Sequence, residues 1–143
     1  MCLNLRRDRY SKPYYRKAKN FYGYKVMLKD ECGNFYSPIY NTRKSHVLGD
    51  TYPALDYTAP GYNLLRNRSI RDKKDFGYHI LVNLKDAKKV CKEYTTSHIF
   101  RYPLHVVKVQ MFGFIASGTY YIFDSATYKS ETWQKIKILK AVK

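Results

Sequence analysis

Positively charged side chains are interleaved with tyrosines along one segment near the start of the chain, between residues 6 and 19. Arginine makes forked contacts with phosphate groups, and the tyrosine ring can stack on an unpaired base. This combination of residue types predicts a surface that binds a polyanion, above all nucleic acid. The side chains expected to make these contacts are Arg6, Arg7, Arg9, Tyr10, Lys12, Tyr14, Tyr15, Arg16, Lys17 and Lys19.

A second cationic cluster lies between residues 66 and 74, within the least regular part of the sequence, residues 41–75. A structureless loop of this length is uncommon in a compact domain. We therefore expect this part either to contain short strands or to be a functional loop. Its candidate binding residues are Arg66, Arg68, Arg71, Lys73 and Lys74.

Net charge is concentrated at the two ends of the chain. The first 29 residues hold nine Lys or Arg and one Asp, which is half of the formal net charge of +16. Residues 129–143 hold five Lys and one Glu, whereas the long middle part is nearly balanced. If the two ends lie on one face of the fold, they form a single electropositive patch that attracts polyanions.

The cysteines and histidines show no metal-ligand spacing. Cys2, Cys32 and Cys91 are far apart, and no Cys-x-x-Cys pair occurs. We therefore predict no metal and no cofactor, and we expect a reducing compartment. No apolar run is long enough to span a bilayer, and no secretory signal is evident, so the expected location is the cytoplasm, with a virion as the alternative.

The expected fold class is α+β, with a curved, mainly antiparallel sheet and one helix, at about 84–94, packed on one face. Asn83 and Asp86 suit the start of that helix, and its apolar residues fall near one side. Strands are expected at 22–28, 35–40 (shortened by Pro38), 76–82, 104–115, 120–123 and 132–139, with turns at 30–34 and 116–118. In the last of these strands Ile136 and Ile138 alternate with Lys135 and Lys137.

Residues 1–20 show neither helical nor strand periodicity, and Pro13 would interrupt a helix. We interpret them as a basic, aromatic arm that is flexible or ordered by a partner, or as a strap packed on the domain. Residues 21–143 are expected to form a single α+β domain. Removing residues 1–20 should leave a folded domain that binds weakly.

Several short motifs are spread along the chain: Met1-Cys2-Leu3, Tyr24-Lys25-Val26, Ser37-Pro38, Gly77-Tyr78-His79, Asp86-Ala87 and Ala116-Ser117-Gly118-Thr119-Tyr120-Tyr121. They resemble those of small accessory proteins of phages and their bacterial hosts, a group with no assigned activity. Such proteins often act as compact blockers of host defence. The resemblance therefore implies a nucleoprotein target, such as a CRISPR effector with its guide RNA, and supplies no catalytic residue.

One enzyme alternative rests on His79 and Glu131. A histidine and a tyrosine upstream of a strand-edge glutamate resemble the ADP-ribosyltransferase arrangement, which implies NAD binding and activation of an acceptor by the glutamate. The first strand, with Tyr24-Lys25-Val26, departs from that pattern because it lacks the family's His or Arg. His79 is otherwise expected to be a packed core histidine.

The leading hypothesis is a non-enzymatic protein that binds nucleic acid or a nucleoprotein complex, as a phage-encoded inhibitor of host defence. The alternatives are a structural virion or nucleoid protein that neutralises DNA and an ADP-ribosyltransferase-like enzyme. A basic arm can equally dock on an acidic protein surface. The choice among RNA, DNA and protein as the partner stays open at this point.

Overall fold

The computed structural model describes residues 4–5, 21–38, 45–53, 77–97, 99–122 and 126–142. These residues form seven strands and one helix, which confirms the predicted α+β class. In chain order the elements are β1 (Asn4–Leu5), β2 (Tyr22–Lys29), β3 (Phe35–Tyr36), β4 (Thr51–Pro53), β5 (Tyr78–Leu81), α1 (Leu84–Ser97), β6 (Leu104–Ile122) and β7 (Ala126–Val142).

Four of the strands pair in a closed circuit. β6 pairs with β2, β2 with β5, β5 with β7, and β7 with β6, and all four pairings are antiparallel. The closing contact is short, with Tyr24 of β2 opposite Leu81 of β5. Because the circuit closes, the sheet has to curl around an interior. The short strands extend it at the edges, β1 on β6, β3 on β2 and β4 on β7.

Neighbouring residues of a strand contribute to two different apolar clusters. Ile80 and Val107 belong to an interior cluster, whereas their neighbours Leu81 and Val106 belong to a second cluster that includes residues of α1. This alternation is the period of two expected for strands buried on both faces. Each fully buried large apolar side chain contributes about 1.5–3 kcal/mol, so the two clusters hold the sheet closed and the helix against it.

Helix α1 confirms the predicted helix and extends it to Ser97. Ala87, Val90 and Tyr94 are buried against the outer side of the sheet. Asn83 precedes the helix as predicted: its carbonyl oxygen accepts a hydrogen bond from the Ala87 amide at 3.1 Å. Its side-chain amide donates to Asp86 Oδ2 at 3.3 Å.

The hairpin from β2 to β3 turns where the sequence predicts. Gly33 adopts a φ of 86°, and Asp30 Oδ1 accepts a hydrogen bond from the Asn34 amide at 2.8 Å. β3 then ends at Tyr36, which confirms that the strand expected over 35–40 is cut short near Pro38. Proline has no amide hydrogen to donate to a neighbouring strand.

The predicted turn at 116–118 is wrong. β6 runs without interruption from Leu104 to Ile122, and β7, expected at 132–139, runs from Ala126 to Val142. The segment stays extended because it pairs on both edges: Gly118 lies opposite Leu5 of β1 and opposite Ser130 of β7. The register of β6 against β7 shifts between Phe114 and Ala116, as it does at a β-bulge, and the two strands remain paired beyond this point.

Candidate nucleic-acid interface

One stretch of β6 alternates strictly between buried and solvent-facing residues. Val107, Val109 and Met111 are almost completely buried, and Lys108, Gln110 and Phe112 occupy the alternate positions. Since successive strand residues point to opposite faces, these three side chains share the outer face. Helix α1 covers only the beginning of this outer face, at Val106 and its neighbours, so the helix of the described residues does not cover the later part.

Three lysines of β7 lie opposite those positions. The register places Lys140 opposite Lys108, Lys137 opposite Gln110, and Lys135 opposite Phe112. Lys135 and Lys140 are exposed and Lys137 is half-buried. Residues that are directly opposite in an antiparallel pair share a face. The outer surface therefore carries four lysines at adjacent positions of two paired strands.

Two aromatic rings lie among these lysines. Tyr22 of β2 is opposite Gln110 and is 39% exposed, and Phe112 is 38% exposed. The ammonium nitrogen of Lys108 lies 5.1 Å from the centroid of the Tyr22 ring, which is within cation–π range. We call this surface the basic face. It consists of Tyr22, Lys108, Phe112, Lys135, Lys137 and Lys140.

The acidic residues of the three strands do not neutralise the basic face. β2 and β6 contain no Asp or Glu, and the one acidic residue of β7, Glu131, is 2% exposed. Asp50 is exposed next to Thr51, whose partner on β7 is Lys137, so one carboxylate lies near the margin of the basic face. The strands themselves present only positive charge at this surface.

The predicted arm is attached to the sheet at both ends. Leu5 of β1 lies opposite Gly118, and Tyr22 lies opposite Gln110, so β1 and β2 occupy the same edge of β6 in succession. At about 3.3 Å per residue the two attachment points are about 26 Å apart along β6. Because residues 1–20 show no strand periodicity, the pairing of β1 with β6 was not predicted. The ten arm residues expected to bind lie outside the described residues.

The second cationic segment lies between β4 and β5 in the chain. Both of these strands pair with β7, on the edge of β7 that faces away from β6. Pro53 ends β4 opposite Lys135, and Tyr78 begins β5 opposite Trp133. These two positions on β7 are about 7 Å apart, since they differ by two residues. The Tyr78 hydroxyl donates a hydrogen bond to the Pro53 carbonyl oxygen at 3.3 Å. Residues 54–76 connect these points, and Arg66, Arg68, Arg71, Lys73 and Lys74 lie outside the described residues.

Strand register thus brings the attachment points of both cationic segments to one section of the β6–β7 hairpin. The arm connects to the β6 edge on either side of residues 111–117, and the second segment connects to the β7 edge at residues 133–135. Between those edges, Phe112 pairs with Lys135 and Phe114 with Trp133. Two segments far apart in the sequence are consequently anchored on either side of the basic face.

The described lysines of α1 form a separate surface. Lys85, Lys88, Lys89 and Lys92 are exposed on the side of the helix that faces away from the sheet. Charges in this arrangement are usual for the solvated face of a surface helix. It also provides a surface with the same number of lysines, with which the basic face can be compared.

The structure does not bring His79 and Glu131 together. His79 lies within β5, and Glu131 lies within β7 and not at the edge of a strand, so the position expected for Glu131 is wrong. His79 is opposite Thr132, whereas Glu131 is opposite Ile80 of the interior cluster. Since neighbours in a strand point to opposite faces, the two side chains project to different sides of the sheet.

Lys25 of β2 faces the interior of the curled sheet, and the sequence analysis did not identify it as a buried lysine. Its position alternates with Val26, and its ammonium nitrogen lies 3.4 Å from the His79 carbonyl oxygen and 5.9 Å from the Tyr78 ring centroid. Desolvation lowers the pKa of the Lys25 ammonium group to about 8. The side chain faces the interior and therefore does not belong to the basic face.

Sequence reasoning missed Tyr22, Lys108 and Phe112 as surface residues. The signal available for β7 was the alternation of Lys135 and Lys137 with Ile136 and Ile138, which the structure confirms, because both isoleucines are fully buried. In β6, Lys108 and Gln110 also alternate with apolar residues. This alternation identifies the basic face only once β7 is known to be the neighbouring strand.

Within the described ranges, no three His, Cys, Asp or Glu residues are grouped in a way that could hold a metal ion. The same ranges contain no helix with the length and apolar character needed to cross a membrane. Comparison of the chain with protein-family models, with curated proteins and with solved structures found no match.

Proposed function

We propose that this chain is a non-enzymatic protein that binds nucleic acid, free or within a nucleoprotein complex, through the basic face and the two cationic segments anchored beside it. The observation that carries this proposal is the strand register, which anchors both segments beside the section of the β6–β7 hairpin that includes Lys135, with Lys137 and Lys140 following on the same strand. Phosphate contacts from Lys and Arg supply most of the affinity of such proteins.

The charge distribution supports the same partner. Net positive charge keeps many proteins soluble without any anionic partner, and the lysines of α1 are an example of a dispersed, solvated arrangement. On the basic face, however, Lys108 and Lys140 lie directly opposite one another, which costs stability in the free protein. An anionic ligand between them removes that cost.

The resemblance to phage accessory proteins extends the proposal to its biological setting. A protein of this kind that binds a guide RNA or the nucleic acid of a defence complex would inhibit host defence by occupying that site. Copurification from infected cells with and without nuclease treatment distinguishes direct nucleic-acid contact from contact with a carrier protein.

Binding is best tested by fluorescence anisotropy with a labelled oligonucleotide and the full chain, between 50 and 200 mM salt. We expect the logarithm of the association constant to fall linearly with the logarithm of the salt concentration. A triple variant, Lys135→Gln, Lys137→Gln and Lys140→Gln, should weaken binding and reduce the magnitude of that slope by roughly one for each lost phosphate contact.

The matched control changes the same number of charges on the helix: Lys85→Gln, Lys88→Gln and Lys92→Gln. These residues are exposed, so the control variant should fold and retain nearly all of the affinity. Equal losses in the two variants would show that total charge, and not the basic face, governs association. Absence of binding by the unmodified chain at 50 mM salt would refute the proposed function.

A further inference from the structure

We infer that the nucleic acid recognised by the basic face is single-stranded, and that Phe112 and Tyr22 stack on its unpaired bases. This inference rests on the proposed function and makes it more specific. Isolated apolar side chains at a protein surface are ordinary and need no explanation. The basis for the inference is the placement of these two rings within a surface that is otherwise made of lysines.

Phe112 has no polar atom with which to contact phosphate, yet it occupies an outward position of β6. It is 38% exposed and lies directly opposite Lys135. Tyr22, 39% exposed, is on the neighbouring strand and is opposite Gln110, two residues before Phe112. The two aromatic residues are therefore diagonal neighbours, with backbones about 7–8 Å apart on the same face.

Lysines surround this pair of rings at the positions that a nucleic-acid backbone would follow. Lys108 contacts the Tyr22 ring at 5.1 Å from its centroid, and Lys135 and Lys137 lie on the adjacent strand. A sheet that presents two exposed aromatic side chains next to cations is suited to stacking bases while its charges contact the phosphates. Stacking tolerates any base sequence, because every base has a π face.

A double helix has no exposed base faces along its length on which these two rings could stack. Its base faces are covered by neighbouring base pairs, so a duplex can meet the lysines through its phosphates but cannot stack on Phe112 or Tyr22. Duplex binding would therefore use only the charged part of the basic face. Single strands engage both parts, and they should bind more tightly at the same salt concentration.

The test compares a single-stranded oligonucleotide with a hairpin duplex of the same length, titrated into the full chain at one salt concentration. Phe112→Leu keeps an apolar side chain and removes the π face, whereas Phe112→Trp keeps the π face. We expect Phe112→Leu to weaken single-strand binding by about 5- to 150-fold, the effect of losing one stacked base. Duplex binding by Phe112→Leu and single-strand binding by Phe112→Trp should be nearly unchanged.

A second readout comes from fluorescence. Trp133, the single tryptophan of the chain, is 3% exposed, so it reports little on the surface. In Phe112→Trp the new indole should be quenched by single strands and not by duplex. Tyr22→Leu provides an independent variant if Phe112→Leu does not fold, which circular dichroism would reveal.

The outcomes separate the inference from the proposed function. Salt-dependent binding that is equal for single strands and duplex, or that is unaffected by Phe112→Leu and Tyr22→Leu, overturns the stacking inference and leaves the proposed function standing. It would favour a DNA-neutralising role. Absence of binding to either form at low salt overturns the proposed function itself.

Discussion

Lys108 of β6 is the register partner of Lys140 of β7, beside a register shift between Lys108 and Val109, so two lysines share one cross-strand position on the outer face of the sheet. Like charges at such a position destabilise a sheet, and a pair of opposite charges contributes about 0.2–1 kcal/mol. The free protein therefore carries an electrostatic cost at the surface that we assign to an anionic ligand.

Lys140→Glu should raise the free energy of unfolding by about 0.2–1 kcal/mol at low salt, because it turns a repulsive cross-strand pair into an attractive one. The same substitution should weaken polyanion binding. Urea denaturation at low and high salt measures the gain, which should shrink as salt screens the pair. Lys129→Glu is the control, since exposed Lys129 lies opposite Thr119. An equal gain from both substitutions would attribute the effect to net charge alone.

Thr132→Val should leave stability unchanged or raise it by up to about 1 kcal/mol. Thr132 is fully buried, and its hydroxyl oxygen has no hydrogen-bond partner in the part of the chain that the structure describes. A buried hydroxyl without a partner is costly, and valine has nearly the same shape. Thermal and chemical denaturation provide the measurement.

The contrasting variant for Thr132 is Ser130→Ala. Ser130 is also buried, but its hydroxyl donates a hydrogen bond to the Ile80 carbonyl oxygen at 2.9 Å. Losing that bond should cost about 1 kcal/mol. If Thr132→Val destabilises the protein as much as Ser130→Ala does, the Thr132 hydroxyl has a partner in solution.

Gly23→Ala should destabilise the protein by about 1–3 kcal/mol, the usual cost of overpacking a core. A methyl group at this position would overlap the Ile80 Cγ2 atom and would lie 3.0 Å from the Met111 sulfur. Gly23 precedes Tyr24, whose pairing with Leu81 closes the circuit of strands, so the glycine permits the close approach of β2 and β5.

A double-mutant cycle identifies the cause of the Gly23→Ala effect. Leucine in place of Ile80 lacks the branch at Cβ that carries Cγ2, so Gly23→Ala combined with Ile80→Leu should cost less than the sum of the single variants. Strict additivity, measured by denaturant unfolding, would show that the clash with Ile80 is not the source of the instability.

Lys25→Met should be more stable than the unmodified protein at pH 7. Desolvation lowers the pKa of Lys25 from 10.5 to about 8, so below pH 8 the folded protein still carries the charge, in surroundings that penalise it relative to the unfolded chain. Between pH 8 and 10.5 the unfolded chain binds more protons than the folded one, and the stability contributed by Lys25 rises with pH.

The advantage of Lys25→Met should therefore be constant below pH 8 and should decline as pH rises toward 10.5. Denaturation of both proteins at matched pH values measures this difference and cancels the titration of the many tyrosines. Lys29→Met, on the same strand, serves as the control. An advantage that grows with pH would contradict the assigned burial of the Lys25 ammonium group.

Local patterns predicted the parts of the fold whose structure is decided locally. The apolar spacing of Ala87 and Tyr94 placed α1, and the sequence around Gly33 placed the first hairpin turn, because helix and turn formation depend on neighbours along the chain. The turn expected near Gly118 failed because pairing with Leu5 and Ser130 outweighed a weak local signal.

The basic face could be anticipated only in part. The concentration of lysine near the carboxyl end was visible, and so was the alternation of Lys137 with Ile138. Lys108, Phe112 and Tyr22 gave no such indication, because the surface they form depends on which strands are neighbours. For His79 and Glu131 the order of residues in the sequence suggested a shared site, but the strand register places their side chains on opposite faces of the sheet.

By itself, then, the sequence determined the large excess of positive charge, the α+β class and the one amphipathic helix of the described residues, since each of these depends on composition or on residues a few positions apart. Tertiary structure alone decided that Lys108 meets Lys140, that Phe112 and Tyr22 become neighbours, and that residues on either side of the two cationic segments flank one hairpin. The physical reason is that strand register is fixed by burying two apolar faces at once, and this selection acts between segments that lie far apart along the chain.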